Sequence, residues 1–426
     1  FDITKRPGLG KKREVLSARV NHRQIPKPRK FKAPWWVVPA LTPRHVTVIG
    51  AGLAGAHTAR AFAERGVDVT LIEQNDTLGG GASGNPQGIL YTKLSHRPEI
   101  STEFALAALQ FAQGHYRQLL PNAKGWIGVI QLDEASPEFH RKVAARFPKE
   151  FVSYQDRDTL SQRAGIDVAC GGLVLEQSGW LSPCEVLAAL VDHPRISLML
   201  GTGVTRIDQT ETSTTIFTDF DTFVSDLVVV CTANDTSRLI GEPLDTRSIR
   251  GQVDTIHTQA LPSMVITGDG YIAPADDQQA TIGASFVLNS SELCTTVDES
   301  RENIERAASL SIELSTAVSI DARASLRCAT KDYLPILGPI TPTAALAEHY
   351  GELAKDRKKP IDQVIEQPQR IWLNIGHGSR GLCSTPLSAE LLASIAFGEF
   401  LPVDRRINAA LSSRRFNIRR LIRGQV

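Results

Sequence analysis

The clearest hydrophobic pattern in the chain begins at Val46. Val46, Val48 and Ile49 form a short β-branched run, the mark of a strand buried on both faces. Small and apolar residues then recur at helical spacing from Leu53 to Ala63, and Gly66 supplies the stop. Val67, Val69, Leu71 and Ile72 predict a second strand, closed by Glu73. Further on, Phe104, Ala107, Ala108, Phe111 and Ala112 share one face of a helix expected over residues 100–120. Residues 125–180 mix short strands and helices. Ser182, Pro183 and Glu185 read as a helix start, with Ser182 as N-cap and proline in the first turn. Strands are expected over 197–230, ending in the apolar run at Leu227–Val230, and again over 251–288. Glu302 to Val318 reads as helix, and residues 341–369 as a polar, Pro-bounded surface insertion. Residues 370–399 read as strand, glycine turn and helix. No period of 20–50 residues repeats, which excludes a solenoid.

Between the first strand and helix stand Gly50, Gly52 and Gly55, a GxGxxG. The first glycine permits the turn, the second lets backbone approach a pyrophosphate, and the third lets the helix pack close to the sheet. Glu73 lies 23 positions after Gly50, where an acid takes ribose hydroxyls. An acid there favours FAD or NAD over NADP. The motif has its strand, helix and acid in place, so it is read as a dinucleotide site. A second glycine cluster, Gly79, Gly80, Gly81, Gly84 and Gly88, includes Ser83, Asn85 and Gln87. Such a stretch is entropically costly unless backbone must approach something closely, so it is expected to cradle the same cofactor. Gly376, Gly378 and Gly381 repeat the logic before the last long helix, whose N-terminus can face a ligand.

The 426 residues are 42% apolar and 22% charged, which allows a large core and two intertwined domains. Net charge is +1, but the charge is uneven. Residues 1–32 are rich in Lys and Arg, and Arg405, Arg406, Arg414, Arg415, Arg419, Arg420 and Arg423 crowd the other end. Two basic ends suit an anionic partner such as nucleic acid, or are simply solvated ends. Trp35 and Trp36 either pin the Pro-rich linker to the next domain or stack a base. The six cysteines are scattered, with no metal-ligand spacing, which fits buried thiols in a reducing cytoplasm. No metal and no membrane span are expected. Phe1 at the start points to a fragment of a longer protein.

The order of the GxGxxG with its acid, GASG at 81–84, RCATKDYLPILG at 327–338 and GHGSRG at 376–381 resembles the D-amino-acid oxidase and glycine oxidase family. Longer strings (GASGNPQGILYTKLS, RCATKDYLPILGP, SRGLCSTPLSAELLA) are similar to the oxidase half of its bifunctional tRNA-modifying branch. KRPGLGKKRE resembles the end of that branch's methyltransferase domain, so the resemblance covers almost the whole chain. It implies an α/β fold: a Rossmann-type FAD-binding domain with an inserted sheet-based substrate domain. The expected segments are 1–34 (tail of an upstream methyltransferase domain plus basic linker), 44–124, 182–250 and 323–426 (the FAD domain, with a basic C-terminal tail), and 125–181 and 251–322 (the substrate domain). The implied partners are tRNA and the upstream methyltransferase domain, and the implied location is the cytoplasm. The implied reaction is FAD-dependent oxidation of 5-carboxymethylaminomethyl-(2-thio)uridine at the wobble position. It releases glyoxylate and leaves the 5-aminomethyl form. A small-molecule amine oxidase acting on glycine or sarcosine-like amines would use the same machinery.

Such chemistry needs an anchor for the substrate carboxylate, and arginine binds carboxylate bidentately. By the resemblance, Arg327 is that anchor, Tyr271 adds a hydroxyl, and Arg380 lies beside flavin and substrate. The alternative for Arg327 is a structural ion pair, for instance with Asp332. Gly50, Gly52, Gly55 and Glu73 are assigned to the ADP half of FAD, and Gly80, Ala82 and Ser83 to the pyrophosphate or ring. Val204 is assigned to the adenine through its backbone, and Gly378, Gly381 and Leu382 to the pyrimidine end. Covalent attachment through Cys328 is not expected.

Overall fold

The computed structural model describes residues 2–7, 14–19, 33–133 and 136–425. Two large sheets organise them. The first has six strands in the order Ile196–Met199, Asp68–Ile72, His45–Ile49, Leu227–Val230, Ile371–Ile375 and Ile336–Pro339. Its first five strands run parallel, and the last pairs antiparallel. The fully apolar Leu227–Val230 lies between His45–Ile49 and Ile371–Ile375 and is buried along its length. That position explains why it reads as a continuous hydrophobic run with no alternation. The Leu53–Ala63 and Gly381–Phe397 helices pack on this sheet, with Ala59, Phe62, Leu391 and Leu392 fully buried in the shared core.

The second sheet has nine strands. Its path runs Val287–Leu288, Thr246–His257, Gln279–Gly283, Tyr271–Pro274, Val265–Thr267, Val129–Leu132, Gly172–Leu175 and Ser153–Gln155. The long Val318–Thr330 strand pairs with Thr246–His257 off this path. Its first part belongs to the segment expected in the substrate domain. Its last residues run on past residue 323 and bring Arg327 to the junction of the two sheets.

Helices form at Ile100–Leu119 and Pro183–Val191, the latter with the Ser182 hydroxyl accepting from the Glu185 amide. Other expectations need correction. The helix expected over 302–318 runs from Val297 to Leu310, and Thr296 caps it by accepting from the Glu299 amide. A short 3-10 turn follows, and Val318 already begins a strand. Residues 341–369 are not a simple surface insertion. Leu346, Tyr350, Leu353, Ile361 and Ile365 form a small core with Ala33, Ile418 and Leu421, against which Trp35 packs. The C-terminal segment is not a loose basic tail. It folds into the Arg405–Leu411 and Arg415–Ile422 helices. Arg414 and Arg415 are among the largest fully buried side chains of the described residues. Arg414 donates to Thr341 and to the Trp35 and Val37 carbonyls, and Arg415 pairs with Asp332 at 3.0 Å. Most of the N-terminal basic residues lie outside the described residues. Asp2–Pro7 and Glu14–Arg19 form an antiparallel pair. Cys184 and Cys294 are exposed, so the expectation of buried thiols holds only for others, such as Cys231, Cys328 and Cys383. No described helix is long and apolar enough to cross a membrane.

Candidate active site

One cleft of about 780 Å³ runs along the carboxyl edge of the six-stranded sheet and reaches the nine-stranded one. Gly50, Gly52, Glu73 and Val204 line it, as do Gly80, Ala82 and Ser83, then Gly378, Arg380, Gly381 and Leu382, and finally Tyr271 and Arg327. Residues from three glycine turns, far apart in sequence, thus line one cleft. Gly55 is the exception. It lies behind the cleft, where a Cβ would come within 1.8 Å of the Gly50 carbonyl oxygen. Its absence of a side chain serves helix–sheet packing, and Gly50 itself turns the chain at φ +98°.

Two helix N-termini open on the cleft. Neither Gly52 nor Arg380 caps its helix with a side chain, so backbone N–H groups and the helix dipoles face the cleft and favour a negatively charged group. The Leu53 amide donates to Ser83 Oγ at 3.0 Å, which ties the second glycine cluster to the first helix. Glu73 is buried. Its carboxylate accepts from the Ala51 amide at 2.8 Å and from the Asn75 amide at 3.1 Å, so it is oriented from both sides. A cleft lined by a buried, oriented acid and two helix N-termini fits a dinucleotide. Metal-type clusters of His, Cys, Asp or Glu are absent among the described residues.

Arg327, Tyr271 and Arg380 are the cleft's candidates for the chemistry. Arg327 does not pair with Asp332, which is engaged by Arg415 and Arg419. The Arg327 guanidinium lies over Gly251, where a Cβ would meet its Nη2 at 2.3 Å. Burial lowers its pKa, and the Tyr271 phenol opposes that shift. Burial pushes the Tyr271 phenol up to about 12, with the Arg327 guanidinium pulling the other way. Tyr271 is therefore a neutral hydroxyl at working pH. Arg380 donates to the Thr92 hydroxyl at 2.8 Å, and its guanidinium carbon lies 5.6 Å from the Tyr91 ring centre. Cys328 also lines the cleft, and burial pushes its thiol up to about 11, a poor state for a nucleophile.

Several cleft residues escaped the sequence reading. Tyr91 and Lys93 follow directly on the second glycine cluster and line the wall. Their proximity to that cluster was the available signal. His377 sits inside the last glycine turn. Its ring nitrogens contact Asn374 Oδ1 and Ser384 Oγ, both at 2.8 Å, and burial lowers its pKa to about 3. Arg323 reaches across from the nine-stranded sheet. It donates to the Gly80 and Gly81 carbonyls at 3.0 and 2.7 Å and to Asn85 Oδ1 at 2.9 Å. The second glycine cluster, which carries no charge of its own, is thus held by a cation from elsewhere.

Comparison with known proteins agrees with this architecture. The family model for FAD-dependent oxidoreductases of the DAO type matches residues 45–395. The chain belongs to the DAO family of FAD-dependent oxidoreductases. Within that family, it is 35% identical over its full length to the tRNA 5-methylaminomethyl-2-thiouridine biosynthesis bifunctional protein MnmC of Pseudomonas putida (strain W619), of which it covers 67%. The protein of the same name from Chromobacterium violaceum is 34% identical over 99% of the chain, again covering 67% of that relative. Among solved DAO-type structures, glycine oxidase from Geobacillus kaustophilus superimposes with a TM-score of 0.70 at 19% identity. That match covers 87% of this chain and 98% of the other. Iminodiacetate oxidase from Chelativorans sp. BNC1 gives 0.67 at 18% identity, over 85% and 98%. These structures share the fold.

Proposed function

We propose that the cleft holds FAD and oxidises the carboxymethylaminomethyl side chain of a wobble uridine in tRNA, giving the aminomethyl form and glyoxylate. The observation that carries the reading is the convergence of Arg327 and Tyr271 on the same cleft that the glycine unit and Glu73 line. The similarity to MnmC along the whole chain favours tRNA over a free amine as substrate. A methyltransferase domain of the same polypeptide and a cytoplasmic setting belong to this reading.

Gly50, Gly52 and Glu73 would hold the ADP half, Val204 the adenine, and Gly80, Ala82 and Ser83 the middle. Gly378, Gly381 and Leu382 would hold the pyrimidine end, where a helix N-terminus favours negative charge. Bound FAD supplies the acceptor for the hydride lost from the carbon between amine and carboxylate. The protein supplies position. Arg327 binds the carboxylate through two parallel N–H donors, and its partial burial strengthens that pairing. Tyr271, held neutral, donates a further hydrogen bond to the same group. Arg380, anchored by Thr92, adds positive charge to the wall and sits over Tyr91. The substrate amine enters unprotonated, so no general base is assigned. Loss of the hydride leaves a carbon–nitrogen double bond. Water adds to it, and cleavage yields the aminomethyl nucleoside and glyoxylate.

The test is mass spectrometry of wobble nucleosides after incubating the FAD-loaded protein with tRNA bearing the carboxymethylaminomethyl group. Conversion to the aminomethyl nucleoside with stoichiometric glyoxylate is expected. Unchanged nucleoside together with turnover of sarcosine or glycine would replace this reading with a small-molecule amine oxidase.

A further inference from the structure

Tyr333 has a backbone φ of +57°, unusual for a bulky residue, yet its side chain is 70% exposed. The Arg247 guanidinium lies over its ring, 5.2 Å from the centre. Around this pair, Lys331 and Arg420 both approach Asp245 at 3.3 Å, and Arg419 reaches Asp332 at 2.7 Å. The two carboxylates are the shielded members, at 15% and 22% exposure, while Lys331 stands 76% exposed and the arginines nearly half exposed. The face turned to solvent is therefore cationic with an aromatic ring in it.

This face borders the cleft. Arg247 pairs with Ala329 in the sheet, and Ala329 bridges to His377 of the last glycine turn. Along the Val318–Thr330 strand, Thr330 lies three residues from Arg327, about 10 Å at roughly 3.3 Å per residue. We propose that Tyr333, Arg247, Lys331, Arg419 and Arg420 form a docking surface for single-stranded RNA, next to the nucleotide whose side chain enters the cleft. The inference rests on the tRNA reading above and adds where the flanking strand lies. An exposed ring among guanidinium and ammonium groups can stack a base while neighbouring cations contact phosphates. The withdrawn acids leave a single sign of charge outward, which complements phosphate better than the mixed charges of a protein surface.

The experiment compares tRNA binding and turnover in FAD-loaded variants. Glycine adopts φ +57° without strain, so Y333G removes the ring and keeps the fold. It is expected to raise both the Kd and the KM for tRNA at least tenfold. Y333F, which keeps the ring, is expected to stay within twofold of the parent. K331Q should weaken binding about threefold and lower the slope of log Kd against log salt by about one. F400A removes a still more exposed ring, just past the end of the Gly381–Phe397 helix that is remote from the cleft, and serves as the control. Parent-like tRNA binding by Y333G would overturn the proposal. So would a Y333G defect confined to association with a protein or second domain. If the parent protein binds tRNA but does not convert it, the functional reading fails, and the Kd of Y333G still decides the docking surface.

Discussion

Replacing Arg323 with alanine removes a charged tie between the second glycine cluster and the nine-stranded sheet, to which Gln87 of the cluster is also bonded through Pro274 and Thr281. Its three hydrogen bonds, to the Gly80 and Gly81 carbonyls and Asn85, are charge-assisted. Bonds to charged groups contribute about 1.5–3 kcal/mol each when well shielded. Arg323 is half-buried and burial lowers its pKa, so solvent screening cuts that sum to about 2–3 kcal/mol in total. The loop it holds also presents Ser83 to the amide of Leu53. The loss should therefore fall mainly on the cofactor complex. At about 1.4 kcal/mol per tenfold, FAD affinity should weaken by roughly 10- to 100-fold. The assay is titration of flavin-free protein with FAD, followed by quenching of flavin fluorescence. R323K keeps the charge but not the fork, so it should fall between parent and R323A. A folded R323A that binds FAD within twofold of the parent would refute the argument that this arginine organises the cradle.

Other outcomes follow from the same geometry. R327A should keep FAD and lose kcat/KM for modified tRNA by about 2–3 kcal/mol, the scale of a charged hydrogen-bonded pair, measured by glyoxylate release. Asp332 carries a pH dependence. Burial raises its pKa, but the Arg415 and Arg419 guanidiniums outweigh burial and hold it at about 2. Its folded pKa thus lies below the unfolded value of about 3.9, so its stabilisation is present above that value and lost as pH falls toward 2. D332N should flatten this acid limb in urea melts, and at pH 7 it should cost about 3 kcal/mol, largely because Arg415 is left buried without its counter-charge. Thiol reagents should label Cys184 and Cys294 first, while Cys231 and Cys383, pushed up to about 12 by burial, should react only on unfolding.

The glycine turns were legible because their physical demand is local. Gly50 needs a positive φ and Gly55 an unobstructed contact, and no other residue supplies either. The strand Leu227–Val230 was legible for the same reason, since burial on both faces forbids polar residues. What was not legible depends on partners distant in sequence. Leu346, Tyr350 and Ile361 look sparse in a polar stretch until Ala33, Ile418 and Leu421 close over them. Arg414 and Arg415 read as solvated charge, because composition cannot show that Asp332, Thr341 and backbone carbonyls wait for them. Arg323 and Arg327 lie on one strand with Ser325 between them, in the i, i+2, i+4 spacing that puts alternate residues on one face. The spacing puts them on a shared face, but the glycine turns that this face meets follow strands of the other sheet and are far away in sequence.

The central claim is that this chain oxidises a tRNA side chain on its own flavin. The most direct measurement is anaerobic mixing of the FAD-loaded protein with tRNA bearing the carboxymethylaminomethyl group, followed through the visible absorbance of the flavin. The account predicts bleaching with one equivalent of glyoxylate per flavin, and no response to the same tRNA lacking that group. Flavin absorbance that stays unchanged with the modified tRNA, in protein shown to bind it, would contradict the account.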